Sequence, residues 1–116
     1  MKALCAVLIA GTWLLGLPAR AEDSAVTAAD LQQLCRGTDT TSRNACRIYI
    51  LGVTQGIEVG LNIRGHRPCV PAMSADALQQ SIKTKLDEDL GAVPTDGKLG
   101  AAGVIGGILA RTYPCR

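Results

Sequence analysis

The sequence predicts an all-α protein, a small four-helix domain stapled by two disulfides. Apolar residues recur every three or four positions in four separate segments, as they do on one face of an amphipathic helix. No segment alternates between apolar and polar residues with the period of a β-strand. Of the five cysteines in the 116-residue chain, Cys5 lies in an apolar N-terminal stretch and four lie farther along. An even set of cysteines in a small exported chain indicates disulfides.

The N-terminal stretch has the composition of a secretory signal peptide. A basic residue precedes an apolar run over residues 3–17, and the small-residue motif Ala19-Arg20-Ala21 follows. This arrangement predicts cleavage after Ala21, so that residues 1–21 are a signal peptide and residues 22–116 are the mature helical domain. The run is shorter than the roughly 20 apolar residues of a membrane-spanning helix, so an anchor is the weaker alternative.

The predicted mature chain has no net charge. The full sequence has twelve Lys and Arg and ten Asp and Glu, and cleavage would remove Lys2 and Arg20. A neutral chain gives no reason to expect nucleic acid as a partner, or membrane binding after signal cleavage. The core is expected to be aliphatic, because there is no Phe and the single Trp lies in the signal.

The first helix is predicted to begin at Thr27, with Asp30 three residues later as in a capping box, and to end at Gly37. The second helix is predicted over about residues 43–62. Its polar side chains cover an arc of only about 100°, so this helix is expected to be central and mostly buried. Its apolar stripe consists of Cys46, Tyr49, Ile50, Val53, Ile57 and Leu61.

Glycines recur at every fourth position of the second helix. Glycines spaced in this way form a smooth strip along one side of a helix. We expect another helix to pack closely on this strip, and the glycine-rich fourth helix is the natural candidate. The strip consists of Gly52, Gly56 and Gly60.

A third helix is predicted after Ser74, which is a favourable N-cap. Its narrow apolar stripe, with the rest of its surface polar, places it on the outside of the domain. The stripe consists of Leu78, Ile82, Leu86 and Leu90. After a tight connection around Pro94, Asp96 is predicted to cap a fourth helix over about residues 98–113, which Pro114 ends.

The disulfide pairing follows from geometry if consecutive helices are antiparallel. Cys35 at the end of the first helix then meets Cys46 at the start of the second. Cys69 lies at the opposite end of the second helix, roughly 25 Å away at 1.5 Å per residue, and the returning fourth helix brings Cys115 to it. We therefore favour Cys35–Cys46 and Cys69–Cys115 among the three connectivities that four cysteines allow.

The residues give little support for catalysis, a metal or a cofactor. A zinc site made from three cysteines and His66 is an alternative, but the Cys-x₂-Cys spacing of zinc ribbons is absent. The single His is next to no obvious nucleophile, and there is no phosphate-binding loop. We therefore predict that the chain is not an enzyme, with no catalytic residues, no cofactor and no metal.

Two charged clusters are candidates for partner binding. Asp87-Glu88-Asp89 lies in the last turns of the third helix, where carboxylates oppose the helix macrodipole. These acidic residues are therefore either an ordinary exposed acidic face, which is the favoured interpretation, or a partner-binding surface. The basic residues Arg64, His66 and Arg67 form the second cluster, which either binds an acidic partner or is a solvated loop.

Four motifs together resemble a bacterial family. They are Leu-Cys-Arg-Gly at residues 34–37, Ala-Cys-Arg-Ile-Tyr-Ile-Leu-Gly-Val-Thr-Gln-Gly at 45–56, Cys-Val-Pro at 69–71 and Tyr-Pro-Cys at 113–115. Their order is similar to that in the Rap/Tai family of type VI secretion amidase immunity proteins. The resemblance implies a helical, disulfide-bonded periplasmic protein, often a homodimer. Such a protein binds a peptidoglycan amidase effector and blocks its papain-like active site.

The resemblance also implies a blocking surface at the turn between the third and fourth helices. In this sequence the corresponding segment is 87–96, and the partner-binding candidates are Asp87, Glu88, Asp89, Leu90, Val93 and Asp96. The turn lacks the acidic, His-Pro-containing run that is expected in the family. Two other hypotheses are a periplasmic stress or chaperone protein with no amidase partner, and a structural accessory of an envelope complex.

Overall fold

The computed structural model of the protein describes residues 25–63 and 68–115, with the backbone alone at residues 61–63. The described residues form four α-helices, namely Ala28–Arg36 (α1), Thr40–Ile63 (α2), Ala75–Ala92 (α3) and Ala101–Thr112 (α4). Within these residues the only β-type pairing is one isolated bridge, between Thr27 and Gly100. The predicted all-α fold is confirmed. The predicted signal peptide and the basic cluster of Arg64, His66 and Arg67 lie outside the described residues.

Local side-chain caps fix the starts of three helices. The Thr27 hydroxyl accepts a hydrogen bond from the Asp30 N–H, and Asp30 accepts one from the Thr27 N–H, which is the predicted capping box of α1. Ser74 caps α3 by accepting from the Ala77 N–H at 3.1 Å. Asp39 accepts from the Ser42 N–H at 2.8 Å, so α2 begins earlier than its apolar pattern predicts.

The start of α4 differs from the prediction. Asp96 does not cap α4, because it lies in a 3-10 helix, Pro94–Lys98, that separates α3 from α4. The N-cap position of α4 is Gly100, which has no side-chain cap. The Ala101 N–H instead donates to the Val26 carbonyl at 2.9 Å. A backbone contact with the segment before α1 thus replaces the predicted side-chain cap.

The core is aliphatic and lies where all four helices meet. Every residue of the predicted α3 stripe is buried, and the rest of α3 is largely exposed, as the pattern predicts. α4 contributes four buried positions along one side. The buried apolar residues are Ala28, Leu31, Cys35, Cys46, Ile50, Leu78, Ile82, Leu86, Leu90, Ala101, Ile105, Ile108 and Leu109.

α2 is less buried than its apolar composition predicts. Between residues 40 and 60, only Cys46, Ile50 and Thr54 are buried. Ile48 is 70% exposed and Val59 is 63% exposed, both on the side opposite the core. The Thr54 hydroxyl is buried with no hydrogen-bond partner among the described residues. The expectation that this helix is mostly buried was therefore wrong.

The predicted packing of α4 on the glycine strip of α2 was also wrong. A Cβ atom built on Gly52, Gly56 or Gly60 would meet no atom within 4 Å. The contact between α2 and α4 instead uses Gly106, whose added Cβ would lie 3.4 Å from Ile57 Cδ1. The strip on α2 faces open space, because α4 lies against the Ile57 side of that helix.

Both predicted disulfides are present. Cys35–Cys46 joins α1 to α2 within the core, and Cys69–Cys115 lies at the surface beyond the end of α4. Each typically adds about 2–4 kcal/mol to the free energy of unfolding. Because all four of these sulfur atoms are used in disulfides, the alternative of a cysteine-rich zinc site was wrong.

The position of α3 relative to α2 differs from the one assumed when the disulfide pairing was predicted. Asp76 in the first turn of α3 forms an ion pair with Arg47 at 3.0 Å, and Gln79 donates to the Arg43 carbonyl at 3.3 Å. These contacts place the start of α3 beside the start of α2 and not at its far end.

α4 is attached to the rest of the molecule at both of its ends. At its start, the Ala28 N–H donates to the Leu99 carbonyl at 2.8 Å, next to the contact between Ala101 and Val26. At its end, the Cys69 N–H donates to the Tyr113 carbonyl at 3.1 Å, beside the surface disulfide. The Tyr113 hydroxyl is also 3.1 Å from the Ser81 hydroxyl of α3.

Alanine substitutions at two glycines are expected to have opposite effects on stability. An added Cβ at Gly91, in the last turn of α3, meets no atom within 4 Å, so Gly91→Ala should raise the free energy of unfolding by about 0.5–1 kcal/mol. At Gly37 the added Cβ would lie 2.4 Å from Ser42 Cβ, so Gly37→Ala should lower it by about 1–3 kcal/mol. Denaturant unfolding with both disulfides intact measures the two changes. A Gly37→Ala variant as stable as the wild type would contradict the tight connection between α1 and α2.

The capping box predicts a pH dependence of stability. Hydrogen bonds from the Thr27 hydroxyl and N–H hold the pKa of Asp30 below its ordinary value of 3.8. A carboxyl group with a lowered folded-state pKa stabilises the fold above that ordinary value, and the effect is lost as the pH falls through the folded-state pKa. Asp30→Asn should therefore unfold at lower denaturant than the wild type at neutral pH, with a difference that shrinks below pH 3.8.

Thr27→Ala is the companion variant, because it removes the hydroxyl that bonds to Asp30. It should show the same trend with pH. A stability difference that stays constant from neutral pH into the acid range would contradict this account of the capping box.

Candidate partner-binding surface

The turn between α3 and α4 is internally hydrogen-bonded. The Val93 N–H donates to the Asp89 carbonyl at 2.9 Å, the Asp96 N–H to the Val93 carbonyl at 3.0 Å, and the Leu99 N–H to the Asp96 carbonyl at 3.0 Å. Pro94 begins the 3-10 helix with its φ angle already restricted. The turn is therefore a defined structure that carries two exposed apolar side chains, Val93 at 45% and Leu99 at 53%.

The turn is held against the start of α1. Gly97 is buried there, and a Cβ atom added to it would lie 3.2 Å from Ala29 Cβ. The backbone hydrogen bond from Ala28 to the Leu99 carbonyl lies next to this contact. Because α1 supports one side of the turn, Val93 and Leu99 are presented from a rigid base.

Asp87, Glu88 and Asp89 form an acidic triplet at the end of α3, and each of their carboxylates has a partner within the molecule. Asp87 binds Arg36 of α1 at 3.2 Å and accepts from the Gln32 amide at 2.8 Å. Glu88 pairs with Lys85 at 2.9 Å, and this hydrogen bond, followed by the Coulomb attraction of the carboxylate, raises the pKa of Lys85. Asp89 pairs with Arg111 of α4. These contacts explain why carboxylates occupy the end of α3.

A groove lies beside the turn, along the outer side of α4. Its volume is about 430 Å³. Gly100, Gly103 and Gly107 leave its floor without side chains, while Leu90, Leu99 and Val104 supply apolar walls. Asp96 lies at one edge, and the Asp89–Arg111 ion pair lies at another. The Asp96 side chain makes no hydrogen bond or ion pair with any described residue.

The structure brings together only part of the predicted set of partner-binding residues. Asp89, Leu90 and Asp96 line the groove, although Leu90 is mostly core. Val93 is exposed on the turn itself. Asp87 faces α1 and Glu88 faces Lys85.

Residues of α4 that line the groove were missed from the sequence. They are Gly100, Gly103, Val104, Gly107 and Arg111, together with Leu99 just before the helix. Their spacing of three or four residues, typical of one helix face, was the available signal. The glycines among them were attributed to helix packing, so that signal was not used.

The outward side of α2 is a second exposed surface. Its residues are spaced alternately by four and three positions, which is the spacing of a seam between two packed helices. We call it the α2 seam, and it consists of Thr41, Ala45, Ile48, Gly52, Gln55 and Val59. All are exposed except Ala45, which is partly buried. The described part of the chain therefore leaves this helix face uncovered, with Ile48 and Val59 as its large apolar side chains.

Metal binding and membrane insertion have no support in the described residues. No group of three or more His, Cys, Asp or Glu in those residues could hold a metal ion. Within the same ranges, no helix is both long enough and apolar enough to cross a bilayer.

Comparison with known proteins gives one match. A family model described as Rap1a immunity proteins matches residues 27–115. The matched segment runs from the N-cap of α1 to Cys115, so it contains the four helices, both disulfides, the turn and the groove. No curated protein and no solved structure matched the chain.

Proposed function

Because the chain belongs to the Rap1a immunity protein family, we propose that it binds and inhibits a peptidoglycan amidase effector of a type VI secretion system. In this proposal the protein acts by occupying a surface of the effector, and it performs no chemistry itself. The observation that carries the proposal is the rigid turn at residues 93–99, which presents two apolar side chains to solvent.

The proposed site of action is the periplasm. Disulfides persist in oxidising compartments, and this small domain has two of them. The sequence signal at residues 1–21 supports the same compartment, with residues 22–116 as the mature domain. Peptidoglycan lies in that compartment, so an inhibitor there would meet an amidase injected from another cell.

The turn is suited to blocking a cleft because its shape is set before binding. A segment that is already ordered loses little conformational entropy when it docks, and more of the contact energy then appears as affinity. The internal hydrogen bonds and the support of Gly97 on α1 provide that order. We propose that Val93 and Leu99 enter or cover the cleft of the amidase, with Asp96 beside them.

The acidic triplet has a different proposed role from that of the turn. Asp87, Glu88 and Asp89 are each paired within the molecule, which reduces the negative charge that they offer to a partner. We propose that Asp87 and Asp89 position the end of α3 against α1 and α4. Asp96, which has no such pair among the described residues, is the carboxylate available to the effector.

A homodimer through the α2 seam is also part of the proposal. If two seams pack antiparallel about a two-fold axis, Ile48 faces the partner's Val59, and Gly52 faces the partner's Gln55. The same pairs then occur twice, as a two-fold interface requires. Gly52, which has no intramolecular neighbour within 4 Å of an added Cβ, would allow the two helices to approach closely.

Inhibition of an amidase tests the proposed function. The purified mature protein should co-purify with the amidase encoded beside it and should stop that enzyme from hydrolysing peptidoglycan. Val93→Glu should weaken the complex by about 30-fold, since an interface hot spot contributes about 2 kcal/mol. Thr84→Glu is the matched control, because Thr84 is exposed on α3 outside the turn and the groove. Failure of the wild-type protein to bind or inhibit any neighbouring amidase would refute the proposal.

Light scattering from the mature protein, separated by gel filtration, tests the dimer. The wild type should have the mass of two chains. Ile48→Lys should give a single chain with an unchanged thermal transition at low concentration, because Ile48 is 70% exposed and supports no core contact. Thr84→Lys should remain a dimer. A wild-type protein that stays monomeric at high micromolar concentration would contradict the proposed α2 seam contact.

A further inference from the structure

The groove on α4 adjoins the turn and shares Leu99 and Asp96 with it. It is a concave surface that can receive a side chain, whereas Val93 lies outside it and projects from the turn. Its volume of about 430 Å³ lies within the range of roughly 300–1,000 Å³ in which small ligands bind. A bulky side chain would therefore fit within it.

Packing within the molecule does not require a glycine at every glycine position that lines the groove. An interior glycine destabilises a helix relative to alanine. The added Cβ of Gly107 would lie 3.3 Å from the Arg111 guanidinium, so that glycine leaves room for the arginine. At Gly103 the added Cβ would meet nothing within 4 Å. An alanine would fit there, and it would make the groove shallower.

The charges at the edge of the groove restrict what can enter it. The Arg111 guanidinium is already paired with Asp89. Asp96 contributes a carboxylate with no partner among the described residues. A cationic group next to the apolar occupant would complement this carboxylate, whereas an anionic group would be repelled.

We infer that the groove binds an apolar side chain of the effector that is followed directly by a Lys or Arg. The apolar side chain lies over Gly103 between Leu99 and Val104, and the cation pairs with Asp96. This inference rests on the proposed immunity function for the identity of the partner. It adds a specificity pocket to that function, because only an effector with this pair of residues fills both parts of the site.

The groove can be tested without the effector. The probes are an acetylated Phe-Lys amide dipeptide and its Phe-Glu counterpart, titrated into the isotopically labelled mature protein and followed by amide chemical shifts. The Phe-Lys probe should move the signals of Gly100, Gly103 and Gly107, and the Phe-Glu probe should move them much less. Asp96→Asn should remove the difference between the two probes. The absence of shifts at these glycines with either probe would overturn the inference.

Filling the groove tests its role in the complex. Gly103→Leu places a side chain in open space, so the fold should be kept and the affinity for the amidase should fall by about tenfold or more. Ala102→Leu is the matched control, because Ala102 is an exposed neighbour on α4 that does not line the groove.

The two proposals fail in different ways. If the wild type inhibits the amidase but Gly103→Leu does so equally well, the inference is wrong and the immunity function stands. If no amidase is bound while the Phe-Lys probe shifts the groove glycines, the groove is a binding site and the immunity function is wrong.

Discussion

The attachment of α4 at both of its ends holds together the core, the turn and the groove. With Gly103, Gly106 and Gly107 in its interior, this helix has a low intrinsic propensity to form. Backbone hydrogen bonds from the segment around α1 fix its start, and the Cys69–Cys115 disulfide fixes its end. A helix secured in this way does not need side chains along its outer face for stability. That face is therefore free to remain open as a groove.

The charged residues at the end of α3 also link helices to one another. Carboxylates in the last turns of a helix oppose its macrodipole. Here Asp87 pairs with Arg36 of α1 and Asp89 pairs with Arg111 of α4. These carboxylates therefore connect the end of α3 to both helices. Surface ion pairs contribute little energy individually, about 0–1 kcal/mol. Asp96 differs from them because it forms no such pair with the described residues.

Local signals in the sequence predicted the helices, the caps of α1 and α3 and the α3 stripe, whereas the disulfide pairing was predicted from an assumed antiparallel arrangement of consecutive helices. They did not predict that α3 starts beside α2, because the contact between Arg47 and Asp76 joins distant residues and leaves no periodic trace. Ile48 was expected to be buried with most of α2, because an apolar residue has the same pattern whether another helix or solvent faces it. The groove was missed for a related reason, since a pattern of glycines does not specify which neighbour approaches them.

The two disulfides impose an order on assembly. Cys35 and Cys46 are 11 residues apart, and they can pair once the first two helices have been made. Cys69 and Cys115 are 46 residues apart, and their pairing must wait for every helix. Among the described residues, only five of the thirteen buried apolar residues lie in α1 and α2, so most of the core forms after the first disulfide can pair. The groove forms last, when α4 is secured, so an incomplete chain would have no competent binding surface.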